Sequence, residues 1–327
     1  MRNIEIVGGA GPAEALKLVE SPDPVAGQGQ IRIRVHAAGV NRPDLLQRLG
    51  HYPAPPGAPL ILGLEVAGEV DQVGPDPEDG VTRWRIGDRV CALLGGGGYA
   101  ELAVVDARHA LPVPVDMDFV QAAALPETVF TVFANVFEAG GLKAGETLLI
   151  HGATSGIGVT AIQTAKAAGA RVIATSRGAD KTAAALRLGA DISLDTRTDD
   201  LAEAIRDAGG VDVVLDMVGA DYAALNLQAL KPLGRWVVIA TLSGARAEID
   251  LSRLMMKRIV LTGSTLRARP ADEKARLAAA VEAAAWPWVI SGQLRPPVEA
   301  IFPLAEAAQA HLRLEGGDHV GKIVLIP

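Results

Sequence analysis

The sequence predicts an α/β protein of two domains, a doubly wound parallel sheet preceded by an irregular β-rich domain. Three observations carry that expectation. Up to about residue 123, short strand-like segments at 30–37, 64–73 and 89–94 are broken by stretches such as Tyr52-Pro53-Ala54-Pro55-Pro56-Gly57, the punctuation of irregular β structure. From residue 124, near-continuous apolar strands alternate with alanine-rich helices, the pattern of a parallel sheet covered on both faces. The chain has 327 residues, more than one core usually organises, so two domains are expected.

The second half reads in order as strand 147–151, helix 159–168, strand 171–175, helix 181–188, then strands at 211–215, 235–240 and 259–262. After Thr265 come a helix at 271–285, the break Pro296-Pro297 and a last strand at 322–326. Such a tail is too short for a core of its own and is expected to return to the first domain. The expected division is therefore 1–123 with 266–327, and 124–265.

Composition narrows the partners. Hydrophobic residues make up 49% of the chain and charged ones 21%, which suits a folded chain and excludes a disordered one. The net charge of -7 would repel a phosphate backbone, so no nucleic-acid partner is expected. No apolar run reads as a membrane span and no signal-peptide core follows Met1-Arg2-Asn3, so a soluble, cytoplasmic protein is expected. Cys91 is the single cysteine, which excludes an internal disulfide.

The strongest chemical signal is Leu149-Ile150-His151-Gly152-Ala153-Thr154-Ser155-Gly156-Ile157-Gly158-Val159, small residues between a buried strand and a helix. That arrangement lets backbone N–H groups approach a pyrophosphate at the positive end of a helix. Set against G-x-G-x-x-G, its positions read Ala153, Ser155 and Gly158. The next strand ends Ala174-Thr175-Ser176-Arg177 without the acid that would hold the ribose of NAD; Ser176, Arg177 and Lys181 instead suit a ribose 2′-phosphate, and NADPH is the expected cofactor. The glycine pattern also resembles that of short-chain dehydrogenases, which need Tyr-x-x-x-Lys. Tyr52, Tyr99 and Tyr222 are followed four residues on by Pro56, Ala103 and Asn226, which excludes that family.

Several segments carry a more specific likeness: Ala37-Ala38-Gly39-Val40-Asn41-Arg42-Pro43-Asp44, Gly63-Leu64-Glu65-Val66-Ala67-Gly68, Gly87-Asp88-Arg89-Val90 and Leu125-Pro126-Glu127-Thr128 leading to Thr131. Over essentially its whole length the chain resembles the medium-chain dehydrogenases and reductases. Asp44-Leu45-Leu46-Gln47-Arg48, Asp216-Met217-Val218-Gly219, Gly263-Ser264-Thr265-Leu266-Arg267-Ala268-Arg269 and Gly321-Lys322-Ile323-Val324 resemble the zinc-free NADPH quinone oxidoreductases of the tumour-suppressor-inducible type, relatives of zeta-crystallin. The resemblance implies a Rossmann sheet plus a GroES-like catalytic domain. It also implies a homodimer paired through the last Rossmann strand, here 259–262. Zinc enzymes of this superfamily place a cysteine and a histidine where this chain has Asn41 and Leu64, and they carry a four-cysteine lobe that is missing here, so no catalytic metal is expected.

Without a Lewis acid, the favoured substrate already stabilises charge once hydride arrives, as a quinone or an enone does. Quinone reduction is the leading expectation, with enone or enoyl-thioester reduction and a non-catalytic NADPH-binding role as alternatives. For the cofactor, Ser155, Gly156 and Gly158 are expected at the pyrophosphate and Ser176, Arg177 and Lys181 at the 2′-phosphate. The resemblance adds Thr131 near the nicotinamide amide, and Leu242, Leu266 and Lys322 along the nucleotide. Where relatives place a tyrosine after Gly-Ala-Asp, this chain runs Ile192-Ser193-Leu194-Asp195-Thr196, so the ring is absent and Asp195 stands nearby. For the substrate, Asn41 can donate to an acceptor oxygen and Tyr52 offers a ring face and a phenol. Asp44 reads as a helix cap for 45–49.

Overall fold

The computed structural model describes residues 1–76 and 80–327, and these divide into two compact units. The first comprises Met1–Phe130, Arg267–Pro287 and Pro296–Pro327; the second comprises Thr131–Leu266 and Trp288–Arg295.

In the second unit, six parallel strands stand in the spatial order Ile192–Asp195, Arg171–Ser176, Thr147–His151, Val211–Asp216, Leu230–Val238 and Val260–Gly263. Counted along the chain that order is 3-2-1-4-5-6. The direction of winding reverses between the first and fourth strands, and nucleotides bind at such a reversal. The Thr147–His151 strand is buried at every position, because helices cover both faces of the sheet. Two apolar layers fill those faces, one around Leu148, Ile150, Ala161 and Val213, the other around Leu149, Ile173, Val214 and Trp236.

The first unit is a seven-stranded sheet centred on Gln30–Val40, which pairs with Glu65–Val73, Leu102–Asp106 and the C-terminal strand Lys322–Ile326, all antiparallel. The tail thus comes back to the first unit through Val324 opposite Gly39. Ile31, Ile33, Val66, Val90 and Ile323 lie in its core.

Some elements differ from expectation. The helix after the glycine-rich turn is Gly156–Ala167, beginning three residues before the apolar pattern because Ser155 caps it. The fifth Rossmann strand begins at Leu230, earlier than expected, and carries Leu233 at φ 65°, an irregularity that periodicity does not disclose. The helical stretch Phe119–Ala139 is long and apolar enough by composition to cross a membrane, which corrects the reading that no run reaches that length. It is a core element of the fold, with 67% of its apolar window buried. Gln121, Glu127 and Thr128 interrupt the run in sequence and masked it.

Candidate active site

The nucleotide cradle is built at the C-terminal ends of the Rossmann strands. Strand Thr147–His151 ends in Gly152, at φ +69°, and the chain turns directly into helix Gly156–Ala167. Ser155 holds the turn: its hydroxyl donates to the Gly152 carbonyl at 2.8 Å and accepts the Gly158 N–H at 3.0 Å. The N–H groups of Gly156 and Ile157 belong to the first turn and have no carbonyl within the helix to reach. A Cβ on Gly158 would lie 2.4 Å from the Gly152 carbonyl oxygen, so the helix start packs directly on the strand end. This cradle fits a diphosphate: open N–H donors at the positive end of a 12-residue helix.

At the end of the neighbouring strand, Ser176 is buried and its hydroxyl lies 3.2 Å from that of Thr182. Arg177 is exposed and Lys181 partly so. Asp195 does not stand free. Its Oδ1 accepts the N–H groups of Gly178 at 2.8 Å and Arg197 at 3.0 Å, and those bonds hold its carboxyl below the usual range. Two residues were missed from sequence. Arg197 brings a third cation, its guanidinium 3.5 Å from where a Gly178 Cβ would stand. Tyr222 packs edge-on against His151 at 4.5 Å, bonds Thr196 and lies in the field of Arg177, so a ring is present from a distant segment. The signal for Arg197 was its place just beyond a strand end; Tyr222 had none.

Leu242 joins this rim through its N–H to the Met217 carbonyl and is 55% exposed, whereas Leu266 is buried. Thr131 is partly buried and its carbonyl accepts the Asn135 side chain at 2.7 Å. From there Phe133–Ala139 winds as a π-helix, a form that recurs at functional sites, and Asn135 also accepts Ser264 at 2.6 Å.

Lys322, expected along the nucleotide, lies in the first unit and is 2% exposed. Its ammonium donates to Asn41 Oδ1 and to Glu65 Oε1, each at 2.5 Å. Asn41 in turn donates to Glu65 at 2.8 Å, and the Glu127 N–H reaches the other Glu65 oxygen at 2.8 Å. Asn41, proposed as a donor to substrate, therefore spends its amide on a buried ion pair. Asp44 caps the helix Arg42–Arg48 from inside its first turn, accepting the N–H groups of Asn41 at 2.8 Å and Gly63 at 3.0 Å.

Tyr52 stands half-buried under the Arg267 guanidinium, 5.6 Å from ring centroid to the charged carbon. Glu127 shares this environment: burial, then the nearby Glu65 charge, push its carboxyl up to about 8, against the opposing pull of Lys322 and Arg267. Burial likewise pushes Asp44 up to about 6. A carboxyl that keeps its proton in the folded state binds more protons there than when unfolded, so its contribution to stability declines as pH rises. For Glu127 that window runs from its unfolded value near 4.5 up to about 8. The substitution Glu127→Gln removes this decline. Thermal melts should show the variant gaining on the parent between pH 5 and pH 9; a constant difference would refute the shift.

Zinc does not suit these residues. Asn41 presents an amide bonded to an ammonium and Leu64 a buried hydrocarbon, and among the described residues no group of three or more His, Cys, Asp or Glu is placed to hold a metal ion.

Known proteins share this design. Residues 27–115 match the alcohol dehydrogenase GroES-like domain, and residues 156–283 match the zinc-binding dehydrogenase model. A rat quinone oxidoreductase is 32% identical over 334 residues, covering 100% of this chain and 98% of the relative. One from Pseudomonas aeruginosa is 34% identical over 331 residues, covering 100% and 99%. The structure of Escherichia coli quinone oxidoreductase complexed with NADPH superposes with a TM-score of 0.86, at 31% identity and full coverage of both chains.

Proposed function

Since the chain belongs to the medium-chain dehydrogenase/reductase family of oxidoreductases, we propose that it is a metal-independent NADPH:quinone oxidoreductase. The observation that carries the reading is the phosphate cradle at Ser155–Gly158 followed, one strand on, by Arg177 and Lys181 in place of an acid, with Arg197 beyond the strand after that. Bound there, the reduced nicotinamide would supply a hydride. The chain's own part is to seat the diphosphate on the Gly156 and Ile157 N–H groups and to meet the 2′-phosphate with Ser176 and the three cations. The family's quinone oxidoreductases and the NADPH complex of the Escherichia coli enzyme support this assignment.

A quinone suits the acceptor side because it delocalises the arriving charge onto oxygen, leaving no task for a Lewis acid. Tyr52 offers its ring face to such a flat acceptor, and enones share the same electronic requirement. Exposed Val260 and Leu261 on the edge strand of the Rossmann sheet, with exposed Met255 and Met256 beside them, favour a homodimer paired along that edge.

Steady-state NADPH oxidation with a panel of ortho-quinones, para-quinones, enones and enoyl thioesters tests the function; turnover should be fastest with a quinone, and no turnover with any member would refute it. The cofactor assignment is tested by Arg177→Ala. Losing a charged hydrogen bond to the 2′-phosphate should cost about 1 to 3 kcal/mol in NADPH binding and leave NADH nearly untouched. Equal losses for both would refute the role of Arg177.

A further inference from the structure

Arg267 is an anomaly in the first unit. It is 6% exposed, yet both terminal nitrogens of its guanidinium are buried with no hydrogen-bond partner among the described residues. A charged donor so enclosed is costly unless something accepts from it. The side chain is not loose. Its Nε donates to the Gly95 carbonyl at 2.8 Å, and its own carbonyl accepts from Lys274 at 2.6 Å. The plane so fixed lies over the Tyr52 ring. Gly96 packs closely beside it: a Cβ there would stand 3.5 Å from one terminal nitrogen and 2.5 Å from the Pro59 carbonyl oxygen.

The nearby acids leave both terminal nitrogens without a hydrogen bond, although the Asp44 charge acts on the guanidinium through space. Asp44 commits its oxygens to the N–H groups of Asn41 and Gly63 and to the Tyr99 hydroxyl. Glu127 retains its proton at neutral pH, with its carboxyl pushed up to about 8. The guanidinium is thus held rigid and charged, facing an aromatic ring, with two donor groups to spare.

We propose that Arg267 is the oxygen-binding residue of the acceptor site, its two free N–H₂ groups taking the carbonyl oxygen of a quinone or enone and holding it as the oxyanion formed on reduction. This rests on the reductase reading above. Reduction would break a C–H bond of the reduced nicotinamide and form one bond from that hydrogen to the conjugated acceptor, whose displaced π electrons end as a pair on the carbonyl oxygen. The acceptor gains two electrons, the reduced nicotinamide loses two, and the oxygen takes its proton from solvent water. Fixed donors aimed at developing negative charge are worth most in a buried site, where water does not compete.

The test uses the full-length protein and 4-nitrophenolate, a stable phenolate, with neutral 4-nitroanisole as its control. Calorimetry should show the phenolate binding more tightly than the ether. Arg267→Gln should weaken the phenolate at least about tenfold and lower kcat/KM for quinones about 100-fold, while NADPH affinity stays within about twofold. Arg267→Lys, which keeps the charge but not the fork, should fall between and decides the matter if the Gln variant does not fold. Phenolate binding unchanged in Arg267→Lys, and in any folded Gln variant, would overturn the inference. So would a loss confined to NADPH affinity, which would place the guanidinium on the nucleotide. A parent that reduces no acceptor brings down the function itself; a parent that turns over while its Arg267 variants match it brings down only this residue's role.

Discussion

Replacing Lys322 by Met should lower the thermal midpoint by roughly 10 °C, a loss of about 3 to 5 kcal/mol. The reason is the partner left behind. Glu65 is fully buried, and its carboxylate is balanced by the Lys322 ammonium 2.5 Å away, with further bonds from Asn41 and the Glu127 N–H. Two hydrogen bonds do not replace a countercharge in an enclosed site, and Asn41 Oδ1 would lose its donor as well. The substitution also cuts a tie between Lys322 on the C-terminal strand and Asn41, which follows the central strand Gln30–Val40. The double variant Lys322→Met with Glu65→Met removes the stranded charge and should regain part of the loss. Melting curves decide: Lys322→Met unfolding with the parent would refute the account of this pair.

Gly158→Val should abolish measurable NADPH binding and destabilise the second unit by about 3 kcal/mol. The first carbon of any side chain there would meet backbone, at 2.4 Å from the Gly152 oxygen and 2.6 Å from the Ala153 carbonyl. Backbone at a strand end cannot swing aside as a side chain can, so the helix start must lift away. Its first N–H groups would then no longer converge on one diphosphate. Gly316→Ala provides the control, since nothing stands within 4 Å of a Cβ there, and it should melt and bind as the parent does. Retained NADPH affinity in Gly158→Val would contradict the cradle.

Periodicity and composition showed the Rossmann half well because its strands are buried on both faces and read as unbroken apolar runs. Thr147–His151 and Val211–Asp216 are of this kind. Ile192–Asp195 escaped notice: it is the edge strand, four residues long, with Ser193 and Asp195 among them. In the first unit, the short strands Leu102–Asp106 and Ala110–Pro112 gave too few residues for a period to register.

The site divides in the same way. Local chemistry revealed the glycine turn and Arg177, since strand, turn and helix start are contiguous in the chain. What local chemistry could not reveal was pairing across sequence. Lys322 meets Glu65 and Asn41 only because the C-terminal strand lies antiparallel beside Gln30–Val40. Asn41 reads from sequence as a free amide, and the fold turns it into a strut. Arg267 and Glu127 gain their character from burial, which no short motif encodes.

A calorimetric titration of the full-length protein with NADPH, and in parallel with NADH, tests the central claim most directly. The account predicts one NADPH per chain, bound more tightly than NADH. Absence of NADPH binding, or equal affinity for the two, would contradict it.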